Sequence, residues 1–422
     1  MPIVAQSQTN TFSCIEQRLI LGMSLLAGIR ALGVSMIMPV LSFYAANLPG
    51  TTAPLVGIAM GIFSISQALF QIPMGYLSDH LGRKTTTIIG SFIYLLGTIL
   101  CGLAGNIYFL IFARSVAGAG AVSGVTMTWI TEGVNKKCRN KAMAYMGIGI
   151  GMAVIIGFPL SWFITSIWPA RYVFYFCAFF LILALAYTFR FVEDKSHHHR
   201  EANRIHSFDE TIKIFKYLLR NSNFLRLSAV GFSINVCFAG VFYIMPILIL
   251  GQTQLGSMWK IFAPTAVIGT VLMFYFAHQA DKNGSAQTVL IGLAFEFTGV
   301  LIPLLSHSVF FLIPALIIFY SGHCILSATL PVAISHFPAQ KFKGTVMSIF
   351  MSVQFLGMGF GGIVSGFILK FSSDCLFGFL SIMILCSLTA MIGCKVTANK
   401  GQIKILNKTG SDLDESQVRT AK

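Results

Sequence analysis

The sequence predicts an all-α integral membrane protein whose twelve transmembrane helices form two pseudo-symmetric six-helix halves. Three observations predict it. Of 422 residues, 55% are hydrophobic and only 10% charged, too little charge to cover the surface of a soluble protein of this size. About twelve apolar runs are each long enough to supply the roughly 20 helical residues that cross a hydrocarbon layer. The chain also repeats itself. Gly75-Tyr76-Leu77-Ser78-Asp79-His80-Leu81-Gly82-Arg83-Lys84 lies between two apolar runs, and a worn copy around Asp281-Lys282-Asn283-Gly284 lies between two others. Asp79 and Asp281 are 202 positions apart, and so are Lys141 and Lys343, each of which opens a Gly-rich run. Two matches in one register mark duplicated halves.

The elements follow in order. Residues 1–17 are polar, without the charged start, apolar core and small-residue cleavage site of a signal peptide; the first span, near 18–46, is read as the anchor. Runs near 54–78, 85–105, 107–133, 142–165 and 170–191 complete a first half over 18–191. Residues 192–223, charged and His-containing, fall at the midpoint and form a linker, with an amphipathic helix expected around Phe208–Leu219. The second half, 224–395, carries runs near 224–250, 257–279, 287–305, 309–335, 343–369 and 374–395, and 396–422 is a polar tail. Amides in lipid must be bonded internally and period-two alternation is absent, so the spans are helices rather than barrel strands.

The net charge of +15 invites a nucleic-acid reading, but with the amino terminus inside, all but five of the 29 Lys and Arg lie within the inner segments. That asymmetry follows the positive-inside rule and places both termini in the cytoplasm; no nucleic-acid partner is expected. Nine scattered cysteines lack the spacing of a zinc site or a disulfide framework. His197-His198-His199 with His206 either binds a metal or is solvated linker, and without a Cys or carboxylate cage the linker reading is preferred. No metal and no cofactor are expected.

In the loop after the second span, Gly75 would let helices approach closely and Gly82 would permit a tight reversal. Asp79 ends a helix, where the macrodipole disfavours its charge, so a neighbour must compensate. Arg83 is the nearest candidate. The amino terminus of the eleventh span near Gly344-Thr345 is another, and a contact there would hold the inner mouth shut in one state and break in the other. Arg114, Gly118 and Gly120 lie along the fourth span, and Glu132 ends it at the same surface. An acid, a base and an acid in one corner either relay a charge change into domain movement or form a surface salt bridge worth about 0–1 kcal/mol. Ionisable groups inside spans are costly and therefore functional candidates: Arg30, Arg114, Glu296 and His323. His323 suits a proton switch or packs as a polar histidine. Glu296 is either a coupling acid or a lipid-side or interhelical one. The 38 Phe and 18 Met could line an adaptable cavity, although most must face lipid or pack.

The loop from Gly75 to Lys84 resembles the signature loop of the major facilitator superfamily, Gly-x-Leu-x-Asp-x-x-Gly-Arg-Lys/Arg, with every key position filled. Arg114 with Gly118 and Gly120 is similar to the family's second motif. Arg139-Asn140-Lys141-Ala142-Met143-Ala144, Gln71-Ile72-Pro73, and Gln354-Phe355-Leu356-Gly357 with Gly361-Gly362 resemble the YajR-type branch of bacterial inner-membrane drug:proton antiporters, over about residues 18–395. The resemblance implies that the first, fourth, seventh and tenth spans line a cavity faced by Arg30, Arg114, His323, Asn235 and Tyr243. Two motifs depart from the pattern. The antiporter motif of the fifth span is usually Gly-Pro after a glycine ladder; here Gly147, Gly149 and Gly151 lead to Gly157-Phe158-Pro159. In the tenth span an acid usually precedes Ala-x-x-Pro; here the run is Ser327-Ala328-Thr329-Leu330-Pro331. His323 and Glu296 are then the remaining proton-coupling candidates. That branch carries an extra carboxy-terminal soluble domain, where this chain has the polar stretch Thr397 to Lys422.

The expected function is secondary active transport of a small molecule by alternating access, coupled to the proton gradient and directed outward, by a monomer in the bilayer of the bacterial inner membrane. Two fixed cations against at most one intramembrane acid support an alternative, an anionic metabolite or carboxylate siderophore moved in either direction. Otherwise helix carbonyls neutralise Arg30 and Arg114. No phosphate-cradling loop suggests ATP drive, and no convergent Ser/His/Asp or metal cluster suggests a membrane enzyme. Duplicated halves with hinge-like glycines suit rocking better than a fixed pore.

Overall fold

The computed structural model describes residues 12–134, 138–193, 216–283, 285–335, 343–392, 396–399 and 402–405. Among them are twelve helical spans long and apolar enough to cross a membrane. The first half comprises Cys14–Ala46, Ala53–Leu81, Arg83–Gly102, a fourth span divided into Ile107–Ala119 and Ser123–Gly133, then Arg139–Ile167 and Arg171–Phe191. The second comprises Ser222–Leu250, Met258–Asn283, Ser285–Leu305, Val309–Ser335, Lys343–Ile368 and Ser373–Ile392. Polar residues start several of these helices: Ser13 and Glu16 form a capping box on the first span, and the Asn106 side chain accepts from the Phe109 amide at 2.9 Å at the start of the fourth.

The sequence reads 107–133 as one run, whereas the helix breaks over Gly120–Val122. Close packing accompanies the break. A methyl group added at Gly120 would collide with the Gly90 carbonyl of the third span, and one at Gly118 with the Phe63 carbonyl of the second. Glycines that permit this approach also weaken the helix they interrupt. In the repeated loop, the eighth span stays helical through Asn283 and the ninth begins at Ser285. Most of the expected linker helix Phe208–Leu219, and all of His197–His199 and His206, lie outside the described residues; 216–220 are helical. Beyond the bundle, in the tail, Val396–Asn399 pairs antiparallel with Gln402–Ile405.

Packing repeats with an offset of six spans. The first span lies on the fifth and sixth as the seventh lies on the eleventh and twelfth; the second lies on the fourth as the eighth lies on the tenth. The third lies on the fourth and sixth as the ninth lies on the tenth and twelfth. Between halves the second meets the eleventh, the fifth meets the eighth, and the first meets the seventh. Exchanging the halves maps each of these contacts onto its mate, which is the pseudo-twofold relation that duplication implies.

The halves are tied together in the part of the bundle away from the 75–84 loop, here called the far end. Gly57 and Gly61 of the second span face Gly359, Gly362 and Gly366 of the eleventh: a methyl group at Gly57 would stand 2.5 Å from the Gly362 carbonyl oxygen, and one at Gly61 would collide with that of Gly359. Backbone meets backbone there, the packing that small-x-x-x-small spacing allows. On the opposite flank, Phe158 of the fifth span stacks on Phe242 at 5.2 Å and meets the edge of Tyr320 at 5.1 Å, while Trp162 lies 5.5 Å from Phe262. The Tyr243 hydroxyl donates to the Ala53 carbonyl at 2.7 Å.

Candidate functional site

At the loop end, Arg83 joins three elements. Its Nη1 donates to Asp79 Oδ1 at 2.7 Å and to Ser78 Oγ at 2.8 Å, while Nε and Nη2 donate to the two Glu132 carboxylate oxygens, each at 2.9 Å. The side chains are 15% exposed for Arg83, 41% for Asp79 and 36% for Glu132. Solvent screens such pairs, yet a guanidinium held bidentately is the geometry in which they retain strength. Gly82 makes the arrangement possible: at φ 96° it ends the second span and starts the third in one residue, a conformation that Cβ-bearing residues avoid. Lys84 donates from Nζ to the carbonyls of Phe189 and Val192 at 3.1 and 2.6 Å, satisfying the carboxyl end of the sixth span. Gly75 is a correction to the close-approach reading, because a methyl group there would meet nothing within 4 Å. Gly344 stands in the first turn of the eleventh span, and its surroundings lie outside the described residues.

In the middle of the first half, the Arg30 guanidinium lies over the Tyr94 ring and that of Arg114 over the Phe63 ring, each 4.5 Å from the centroid. The two rings are 6.2 Å apart. Arg30 is 8% exposed and Arg114 5%, and among the described residues no carboxylate pairs with either. Arg114 Nε donates to the Ala59 carbonyl at 3.3 Å, whereas buried Arg30 Nη1 has no hydrogen-bond partner among the described residues. A desolvated cation–π contact contributes about 2 kcal/mol, while taking a charge out of water costs several kcal/mol per ion. Rings and one carbonyl therefore leave this place short of negative charge. Beside it a small cavity is lined by Val34, Phe63, Tyr94 and Arg114 and, from the eleventh span, Met358.

In the middle of the second half, Glu296 of the ninth span is fully buried, with Oε1 3.1 Å from His323 Nδ1 of the tenth. Its other oxygen has no hydrogen-bond partner among the described residues. The imidazole lies nearly parallel to two rings, 4.3 Å from that of Phe238 and 6.4 Å from that of Phe319. The acid thus points towards the tenth span and away from lipid. The remaining cavity candidates are engaged elsewhere. Asn235 donates to the Gly231 carbonyl of its own helix at 2.8 Å, and the Tyr243 hydroxyl makes the inter-half bond to Ala53.

The glycines of the fifth span divide by face. Gly149 packs on Ser24 of the first span, with 3.3 Å from an added methyl to its carbonyl, and a methyl at Gly157 would collide with Ser35 Oγ. Gly147 and Gly151 face open space. Pro159 is accommodated inside the helix, and the residue that separates it from Gly157, Phe158, is the ring that reaches the other half. Sequence reasoning passed over the Gly57/Gly61 and Gly362/Gly366 pairs, although each is a Gly-x-x-x-Gly signal, and over Phe63, Tyr94, Phe238 and Met358. Those four carry no signal of their own in so apolar a chain.

The family model described as Major Facilitator Superfamily matches residues 23–362. The inner membrane transport protein YajR of Escherichia coli (strain K12) is 28% identical over 364 residues, 84% of this chain and 78% of that protein. The class H tetracycline resistance protein of Pasteurella multocida is 25% identical over 349 residues, 76% of this chain and 82% of that protein. Among solved structures, the xylose transporter XylE from E. coli in a partially occluded inward-open conformation has a TM-score of 0.73 at 14% identity, covering 92% of this chain and all of that one. The human organic anion transporter MFSD10 has a TM-score of 0.66 at 16% identity, covering 90% of this chain and all of that one. At such identities the structural likeness concerns the fold.

Proposed function

The chain belongs to the Major Facilitator Superfamily, a multi-pass membrane transporter working by alternating access, and on that premise we propose that it exports a small molecule in exchange for protons held by Glu296 and His323. The observation that carries the reading is the pair itself, a carboxyl with no exposure bonded at 3.1 Å to an imidazole. Adding or removing one proton changes the net charge of a site wedged between the ninth and tenth spans and stacked on Phe238 of the seventh. A charge change there alters which arrangement of the half is favoured, the differential that a coupled carrier needs. The tenth-span acid that the resemblance leads one to expect is absent, and Glu296 supplies a carboxyl to the same span from its neighbour.

Outward direction is supported by the glycine-rich fifth span and by the similarity to a tetracycline resistance protein. Lys and Arg crowd the segments at the loop end, which supports a cytoplasmic loop end with both termini on that side. Similarity to an inner membrane protein supports the bacterial inner membrane as its place, and the pseudo-twofold single chain supports a working monomer. The sealed far end is then the outer gate, and Arg83 with Asp79 and Glu132 belongs to the inner one.

Everted vesicles test the coupling. In vesicles carrying a respiration-driven pH gradient read by an acridine dye, a compound found by screening dissipates the gradient through the parent protein. Glu296→Gln or His323→Ala is expected to abolish that dissipation while counterflow exchange of the same compound survives. If both variants and the double variant dissipate the gradient as the parent does, the protons travel elsewhere or are not coupled.

A further inference from the structure

We propose that Arg30 and Arg114 form a subsite for the carboxylate of an organic acid; this names a substrate class and rests on the transporter reading above, though not on its proton pair. Two guanidiniums more than nine-tenths buried, from the first and fourth spans, flank one pair of neighbouring rings, Tyr94 and Phe63, whose centroids are 6.2 Å apart. Arg30 Nη1 has no hydrogen-bond partner among the described residues, and Arg114 borders the small cavity. A planar guanidinium matches the two oxygens of a carboxylate. An ammonium compound would meet like charge at the same place.

Other partners for these cations are accounted for. Among the described residues one backbone carbonyl, that of Ala59, meets these cations and takes Arg114 Nε, and Glu296 is engaged by His323 in the other half. In this conformation the faces of Tyr94 and Phe63 partner the two cations at 4.5 Å, and an entering carboxylate would replace them. The rings then lie beside the body of the ligand, which makes an acid with an aromatic or aliphatic body the fitting class. Met358 completes the lining from the eleventh span, so a ligand here touches both halves and binds them differently as they rock, as a transported molecule must. Its thioether adapts to bodies of different shape.

Thermal unfolding of the purified full chain in detergent tests this with matched pairs of probes: benzoate and benzamide, 1-naphthoate and 1-naphthamide, hexanoate and hexanamide. At least one carboxylate is expected to raise the midpoint in a saturable way while its amide does not. Arg30→Gln and Arg114→Gln should each weaken that binding by roughly 10–100-fold, the loss expected for charge-assisted bonds, with the Lys variants in between. Should a Gln variant fail to give a monodisperse protein, Met358→Trp keeps both cations and fills the cavity from the facing half; it too should lose the stabilisation. A parent protein that no carboxylate stabilises, amides that act as well as the acids, or Arg variants and Met358→Trp that bind like the parent would each overturn the proposal. Binding is read at equilibrium without a gradient, so this result and that of the vesicle experiment fail independently.

Discussion

Arg83 meets Ser78, Asp79 and Glu132 with one planar group, and a lysine would keep the charge without the fork. Arg83→Lys is therefore expected to reach the membrane at parental abundance and to transport roughly tenfold more slowly, each lost charge-assisted bond being discounted for partial exposure. Asp79→Asn should slow transport in the same direction. Initial rates in vesicles at matched protein amount decide it; parental rates in both variants would make the trio an idle surface cluster. Much at this scale was legible in the sequence. A glycine between two helices with no residue to spare reads as Gly82 because only the left-handed backbone turns that sharply. Gly75 was misread because a residue type states what it can do, while its neighbours in space decide whether it does so: a methyl group there would meet nothing within 4 Å. The partner of the Tyr243 hydroxyl, the Ala53 carbonyl, was equally beyond the reach of residue type.

Among the elements, the second and eleventh spans touch through glycine backbones, and a side chain placed between them has nowhere to go. Gly61→Val should push the far ends of those two spans apart by about 1–2 Å, the room that carbon atoms need. Gly75→Ala, whose methyl meets nothing within 4 Å, should leave that spacing unchanged. Spin labels at the far ends of the two spans, read by pulsed dipolar spectroscopy, measure both, and an unwidened Gly61→Val would show that the stripe tolerates side chains. The twelve spans themselves were readable because length and hydropathy suffice for a helix in lipid. Their pairing was not, since contacts such as Gly61 with Gly359 join residues almost three hundred positions apart. Phe158 shows the limit well. Along the chain it interrupts a Gly-Pro pattern; in space it is the fifth span's reach to Phe242 and Tyr320.

For the whole molecule, two native cysteines report orientation. Cys14, at the loop end of the first span, and Cys375, at the far end of the twelfth, are both exposed. In variants that retain one cysteine each, a membrane-impermeant maleimide should label Cys375 in intact cells and Cys14 only in everted vesicles. The opposite pattern would invert the proposed topology. With that topology, the two ends of the bundle differ in material. The inner one carries an ionic cluster, Arg83 with Asp79 and Glu132, whose attractions dissolved salt would screen, and it faces a cytoplasm whose composition the cell regulates. The outer one is made of rings and bare backbone, which present no charged pair for dissolved ions to screen. A bacterium moved from fresh to saline surroundings would find its inner latch undisturbed and its outer door indifferent to the weather.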